Sequence, residues 1–385
     1  TIYLVKAKEM GILDGVELGD TNAKATREFV FELVYNTMIG EQIGNYAVVK
    51  GLVIENDRVE TLKKGEVTVE VIRELQSAKY ADVSRVEKGD QITLKVPADV
   101  ADVENLLGKV VDFTYDKDRN VVRTSVDTSY DYLTGEVLAT EKSVQLNWGK
   151  KYTVVIDERY KERDDRVFRT YYNNKDYKYE DFYRDPSTIR EKDDKRKDSF
   201  YAEFAKITVK DGKVLFIDAF NFKDIAPVKE VRKDGREVVI YDDNRDGSTK
   251  KINLDGSSFV IEVNAETKGI KRVGLDTIEA NDVVHYMAND KDYADTVFVR
   301  TDAKLTGKYE KARSARIEGV EATDLFVDGE AYTALTDVSG RKAVYTYDLE
   351  KFATLEGSQR LIDERLDAYK DKNVVLLLDM NDNVQ

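Results

Sequence analysis

Leu107-Gly108-Lys109-Val110-Val111-Asp112-Phe113-Thr114-Tyr115-Asp116-Lys117-Asp118-Arg119-Asn120-Val121-Val122 reads as a β-hairpin. Apolar and β-branched residues from Lys109 to Tyr115 make one strand, Val121 to Thr124 the other, and Asp116 to Asn120 supply turn chemistry between them. The pattern returns downstream as Lys372-Asn373-Val374-Val375-Leu376-Leu377-Leu378-Asp379-Met380-Asn381-Asp382-Asn383-Val384. A looser copy, Asn281-Asp282-Val283-Val284-His285-Tyr286, has Thr296 to Arg300 as its partner strand. Solenoid units repeat every ~20–50 residues. Copies separated by roughly 100 residues or more therefore predict repeated domains. Hairpins with Asp and Asn turns are also common enough to resemble one another by chance.

The flanking sequence extends this β reading. Val48, Val49, Leu52, Val53 and Ile54, then Val67, Val69, Val71 and Ile72, form short apolar runs between Gly- and Asp-rich turns. Gln91 to Val96 is a further strand ended by Pro97, and Asp102 to Leu107 is one helical turn, so residues 45–125 are expected to form one module. Ala205 to Val209, Lys213 to Ala219, Arg236 to Tyr241 and Phe259 to Asn264 read as strands of a module spanning 206–303. In 304–385, Ser314 to Val320, Leu325 to Val327 and Lys342 to Tyr347 are strands, and Leu349 to Tyr369 is helical before the terminal hairpin. The expected fold is mainly β: several small antiparallel β-modules in tandem, with a short helical unit at the N-terminus and a helix near the C-terminus.

Composition narrows the chemistry. The 385 residues include no Cys and one His, which excludes disulfides, thiol catalysis, cysteine-ligated metals and multi-histidine sites. His285 lies in a strand pattern and reads as a strand residue. With 75 acidic against 61 basic residues the formal charge is −14, which repels nucleic acid and anionic membranes. No apolar run reaches the ~18 residues of a membrane helix. Neither a phosphate-binding glycine loop following a strand, nor a Gly-x-Ser-x-Gly elbow, nor a His-Glu-x-x-His motif is present. The expectation is a protein that is not an enzyme, without nucleic-acid or membrane-inserted partners.

Two stretches carry candidate sites. Residues 126–205, a Tyr-rich charged insertion or module, hold Tyr171, Tyr172, Tyr177 and Tyr179 among alternating acids and bases. Aromatic ladders of this kind stabilise sheets and favour interfaces, so these tyrosines are candidates for contact between subunits, with an ordinary solvated hairpin as the alternative. Asp242, Asn244, Asp246 and Gly247 have the spacing of the first half of a calcium loop, oxygen ligands alternating before a glycine bend. Its twelfth position is Asn253 rather than Glu, so a plain hairpin turn is the competing reading. Asp116, Asp118 and Asn120, and Asp379, Asn381 and Asn383, pose the same choice between cation and turn.

The first residues differ from this β body. Leu4, Ala7 and Met10 form an apolar face that runs into Gly15, and after a polar loop Thr26 occupies an N-cap position before Phe29, Val30, Leu33, Val34 and Met38. Residues 1–44 thus read as helix, loop, helix. The run Ala7-Lys8-Glu9-Met10-Gly11-Ile12-Leu13-Asp14-Gly15, followed by Thr26-Arg27-Glu28-Phe29 and Leu33-Val34, resembles an S-layer homology (SLH) unit. That resemblance implies docking to anionic cell-wall polysaccharide, with Arg27 and Gly15 at the binding positions, on an extracellular, cell-surface protein. Phe29 stands where the family's motif has an acid. Because Thr1 is not Met, the chain is expected to be processed or trimmed. The functional expectation is a non-enzymatic structural protein forming a homo-oligomeric or polymeric surface lattice or filament. The alternatives are a polysaccharide-binding or polysaccharide-processing surface protein, or a virion or tail component.

Overall fold

A computed structural model describes residues 13, 26, 27, 29, 30, 33, 34, 46–76, 86–147, 149–154, 169–177, 179–184, 199–241, 249–264, 269–288, 293–301, 303–317, 320–335, 343–346, 351–354 and 359–385. It divides into two compact units, Thr1–Asp127 and Thr128–Gln385. The expected fold class holds in its main part: the described residues are mainly β, in several sheets.

In the first unit, β1 (Ala47–Asn56), β2 (Glu66–Gln76), β3 (Gln91–Lys95), β4 (Val110–Tyr115) and β5 (Val121–Val126) form a sheet of order β3-β2-β1-β4-β5. Three register shifts between β1 and β2 curve it. One lies beside Gly51, where a Cβ would collide with Val69 and the Glu70 carbonyl, so only glycine lets the strands approach this closely. The curvature brings the edges together. The Lys95 amide donates to the Arg119 carbonyl at 2.9 Å, and Lys95 and Asn120 form a parallel bridge that closes a barrel.

Inside this barrel Val49, Val53, Val67, Val69, Leu94, Val111, Phe113 and Tyr115 are buried. Each contributes roughly 1.5–3 kcal/mol of apolar burial. A single helical turn, α1 (Val103–Leu106), sits between β3 and β4, capped by the Asp102 carboxylate, which accepts from the Glu104 amide at 2.8 Å. Beside it Glu104 accepts from Asn56 at 2.9 Å and pairs with Arg58 at 3.3 Å; the Arg58 and Glu104 side chains are 3% and 0% exposed. This pair ties the turn to the loop after β1.

The second unit repeats the plan. β6 (Asp131–Thr140), β7 (Ser143–Leu146), β8 (Lys151–Thr153), β11 (Ser199–Lys210) and β12 (Lys213–Phe220) follow the order β8-β7-β6-β11-β12, and β8 meets β12 in parallel at Thr153 and Lys213. The β11–β12 turn is Asp211-Gly212, with φ of 50° and 74° at its two central residues, as the dipeptide predicts. Next come β13 (Asp224–Arg232), β14 (Glu237–Tyr241), β15 (Thr249–Val263), β17 (Val283–Ala288) and β18 (Tyr293–Arg300). Their order is β15-β14-β13-β17-β18, again closed by a parallel pairing, β15 with β18. In the last body β19 (Lys304–Ile317), β20 (Val320–Val327), β21 (Glu330–Leu335) and β24 (Asn373–Leu377) run β21-β20-β19-β24. There Val384 bridges Leu378 and its amide donates to the Thr333 carbonyl at 2.8 Å, occupying the closing position.

Each barrel places helical residues between its third and fourth strands: α1 in the first, α2 (Tyr179–Arg184) in the second, a 3₁₀ turn at Leu275–Thr277 in the third, and α3 (Gln359–Leu366) in the fourth. Among the described residues this plan therefore occurs four times. The three hairpins singled out by their sequence each consist of a barrel's fourth strand and its closing strand or segment. β9 (Arg169–Tyr172) with β10 (Lys175–Tyr177), β16 (Ile270–Val273), and the ribbon β22 (Ala343–Thr346) with β23 (Lys351–Thr354) extend the plan at the same insertion point.

Three expectations change. The modules are not purely antiparallel, because their closing pairs are parallel. Ala205 to Val209 and Lys213 to Ala219 do not open a third module; they pair with β6 and with each other as strands of the second. The helix expected over Leu349 to Tyr369 is shorter, since Lys351–Thr354 pairs with Ala343–Thr346 and α3 begins only at Gln359. Of the N-terminal helical unit, residues 27, 29, 30, 33 and 34 are helical, and Thr26 Oγ1 accepts from the Phe29 amide at 3.1 Å as the N-cap reading requires. Of its first helical stretch only Leu13 is described, in a turn, and Gly15 lies outside the described residues.

Candidate functional site

Arg27 lies exposed in the first helical turn after its Thr26 cap. Asp242, Asn244 and Asp246 lie outside the described residues. Of the four tyrosines, Tyr172, Tyr177 and Tyr179 are placed together and inward, and Tyr171 on the opposite face of its strand. Tyr171 and Tyr179 are 5% and 7% exposed, and Tyr172 and Tyr177 are half-buried. Tyr172 packs against Tyr177, Phe182 and Phe200 with ring centroids 5.8, 6.4 and 5.2 Å away. The Tyr179 hydroxyl donates to the Thr140 carbonyl at 2.6 Å, and burial pushes its pKa up. Tyr172, Tyr177 and Tyr179 pack in or against the core of the second barrel, which corrects their expected role in contact between subunits, while Tyr171 lies on the other face of β9 against Phe216, with ring centroids 5.8 Å apart.

The acidic turns are self-capped. Asp116 Oδ1 accepts from the amides of Asp118 and Asn120 at 2.9 and 2.8 Å and from the Asn120 side chain at 3.3 Å. Asp379 repeats this with Asn381 and Asn383, at 2.8, 2.9 and 3.4 Å, and its Oδ2 accepts from Gln385 at 2.8 Å. Arg119 and Asp382 share a left-handed φ, 62° and 64°. The oxygen spacing shared with a calcium loop here serves N–H donors. Among the described residues no group of three or more carboxylates or imidazoles is arranged to hold a metal. Asp379→Ala, which strips several buried donors of their acceptor, is expected to cost about 1–3 kcal/mol. Urea unfolding should give the same loss with calcium and with chelator.

A convergence of side chains that sequence reasoning did not foresee lies, among the described residues, where the second, third and fourth barrels meet. Barrel interiors take Ala205, Ala219, Val284, Tyr286, Val297 and Val299. By strand alternation their neighbours Phe204, Phe220, His285 and Phe298 point to the opposite faces. There Phe298 packs on Phe220, Phe222 and Phe204 with centroids 4.9, 5.6 and 5.7 Å apart, and Met380 joins from the fourth barrel.

Polar contacts frame this cluster. The Asn381 side-chain Nδ2 donates to the Glu203 carbonyl at 2.6 Å, and the Phe222 backbone amide donates to the Glu203 carboxylate at 2.6 Å. Arg300 donates to the Asp379 carbonyl and pairs with Asp382 at 2.7 Å. Lys304 pairs with buried Asp282 at 3.1 Å; burial is the first influence on that carboxyl and raises its pKa against the pull of Lys304. His285 Nε2 accepts from the Met380 amide at 3.5 Å, and its ring meets Phe222 edge-on with centroids 5.1 Å apart. Burial, aided by the Arg300 charge, pushes its pKa down from 6.5 to about 3. The one signal for this junction in the sequence is Phe220-Asn221-Phe222 beside Phe204, aromatics on faces that a lone barrel would leave wet.

Together these features define a tandem array of barrels of the OB type, the first three closed with five strands and the fourth with four strands and the Val384 bridge. No protein-family model matches the chain, and no curated protein matches it significantly. Among solved structures, the crystal structure of an auxiliary nutrient binding protein from Bacteroides ovatus ATCC 8483 aligns over 79% of this chain and 87% of its own, at 13% identity and a TM-score of 0.13, too low to indicate a common fold. Among the described residues no helix is long and apolar enough to cross a membrane.

Proposed function

We propose that the chain is a non-enzymatic structural subunit of an extracellular surface lattice or filament, with the barrels as its body and the residues around Arg27 as a wall-docking end. The observation that carries this reading is the repetition of one barrel plan with almost no slack. In the second unit three residues, 221–223, separate β12 from β13, and three, 301–303, separate β18 from β19. Such connectors span at most ~10 Å. The apolar cluster and the Arg300 and Asn381 bonds then fix the neighbours against one another, which suits load-bearing better than a mobile binding cleft. OB-type barrels serve many functions, so the fold alone does not select one.

Sedimentation and electron microscopy of the purified chain, with calcium and with chelator, test the reading. Sheets or fibres that grow with concentration are expected, and a strict monomer at every concentration in both conditions overturns it. For the docking end, Arg27→Ala is expected to weaken retention on purified anionic wall polysaccharide at least several-fold.

A further inference from the structure

The fourth barrel's loop 379–383 is the meeting point of all three barrels of the second unit. It holds Met380 in the shared apolar cluster, gives a carbonyl and the Asp382 carboxylate to Arg300 of β18, and sends Asn381 to the Glu203 carbonyl of β11. His285 of β17 touches this loop through one bond, from the Met380 amide to Nε2. The imidazole is 1% exposed, and its Nδ1 has no hydrogen-bond partner among the described residues. With Nε2 accepting, the neutral ring carries its proton on Nδ1, an assignment that follows from the hydrogen-bond network.

We propose that His285 is an acid-operated latch: protonation expels the loop 379–383 from the junction and uncouples the fourth barrel from the second and third while each barrel stays folded. A second proton must go to Nε2, where it faces the Met380 N–H donor; the single bond becomes a donor–donor clash. The new cation also stands near the Arg300 guanidinium among phenyl rings, where desolvation penalises it. The charged groups on the packed elements are Arg300 on β18, Asp379 and Asp382 on the loop, Glu203 on β11, and the Asp282–Lys304 pair beside β17 and β19. Asp382 and the Asp379 carbonyl are already engaged by Arg300, and the Asp379 carboxylate is filled by its own turn. Leaving the junction costs the loop none of its internal bonds, so it can detach as a preformed turn. A group held neutral in the fold adds stability above its ordinary value of 6.5, and that stability is lost as pH falls towards about 3. The latch therefore opens within that window.

The chain has one histidine, so these 385 residues give one imidazole signal by NMR. Its titration, the Met380 amide cross-peak and the radius of gyration from small-angle scattering are followed from pH 7 to pH 3. The imidazole is expected to titrate well below 6.5, with the Met380 shift and an increase in radius at the same midpoint. His285→Gln, neutral throughout and able to accept from the Met380 amide, is expected to move the expansion at least one pH unit lower. An unchanged midpoint in His285→Gln, or an imidazole that titrates in wild type without change at Met380 or in radius, overturns the latch. Should the variant not fold, the wild-type coincidence of the three signals decides alone.

Discussion

Phe298→Ala is expected to lower the stability of the 128–385 unit by about 3–5 kcal/mol, in the range for a fully buried phenylalanine. Phe298 has no exposed surface, and its ring touches Phe204, Phe220 and Phe222, which come from two strands of the second barrel and the connector after it. Truncation therefore leaves a void between barrels rather than within one. Two effects should separate in calorimetry: a lower midpoint, and a split of one transition into two as the second and third barrels cease to unfold together. Phe298→Leu should recover more than half of the loss, because most of the volume returns. A loss below ~1 kcal/mol would mean that the outward rings are not packed as described.

The second large effect belongs to the first barrel. Glu104→Ala removes the acceptor of Asn56 and the partner of Arg58, whose side chain is 3% exposed. Stripping one member from a buried pair costs about 3–5 kcal/mol, and with both side chains this dry no discount for solvent screening applies. Hydrogen exchange resolved by peptide should show residues 46–127 opening early while 199–300 keep wild-type protection. Arg58→Met combined with Glu104→Leu is expected to restore most of the stability, since replacing both charges removes the desolvation penalty along with the attraction. Equal loss in the single and double variants would count against the ion pair as the cause.

The sequence disclosed the local half of this architecture. The β4–β5 hairpin is legible because alternation and turn chemistry lie within a few residues, and the same holds at Asp211-Gly212 and in the Asp379 turn. Barrel closure is not. Lys95 meets Asn120, Thr153 meets Lys213, and Leu254 meets Ala294 across long intervening segments, through parallel pairs that leave no short-range periodicity. The tyrosines of 169–179 misled for a related reason. Rings interleaved with charges have the period of a strand with one aromatic face, but which side of a sheet is interior depends on where α2 returns. The aspartates of the repeated turns carry the oxygen spacing of a cation site, and only the direction of the amides at i+2 and i+4 separates a cap from a ligand set. His285 was legible as a strand residue; its burial against the fourth barrel was not, because Met380 lies 95 positions away.

The placement of β13, β17 and β18 bears on mechanics. β17 lies between the strand by which the chain enters the third barrel and the strand by which it leaves. Those two strands run in the same direction, so tension drawn through the connectors pulls on opposite ends of the barrel. The two ladders flanking β17 are then loaded in shear, with many hydrogen bonds strained at once, whereas a hairpin pulled from its open end unzips one bond at a time. A row of such barrels would meet stretching with its stiffest resistance along the direction of the chain.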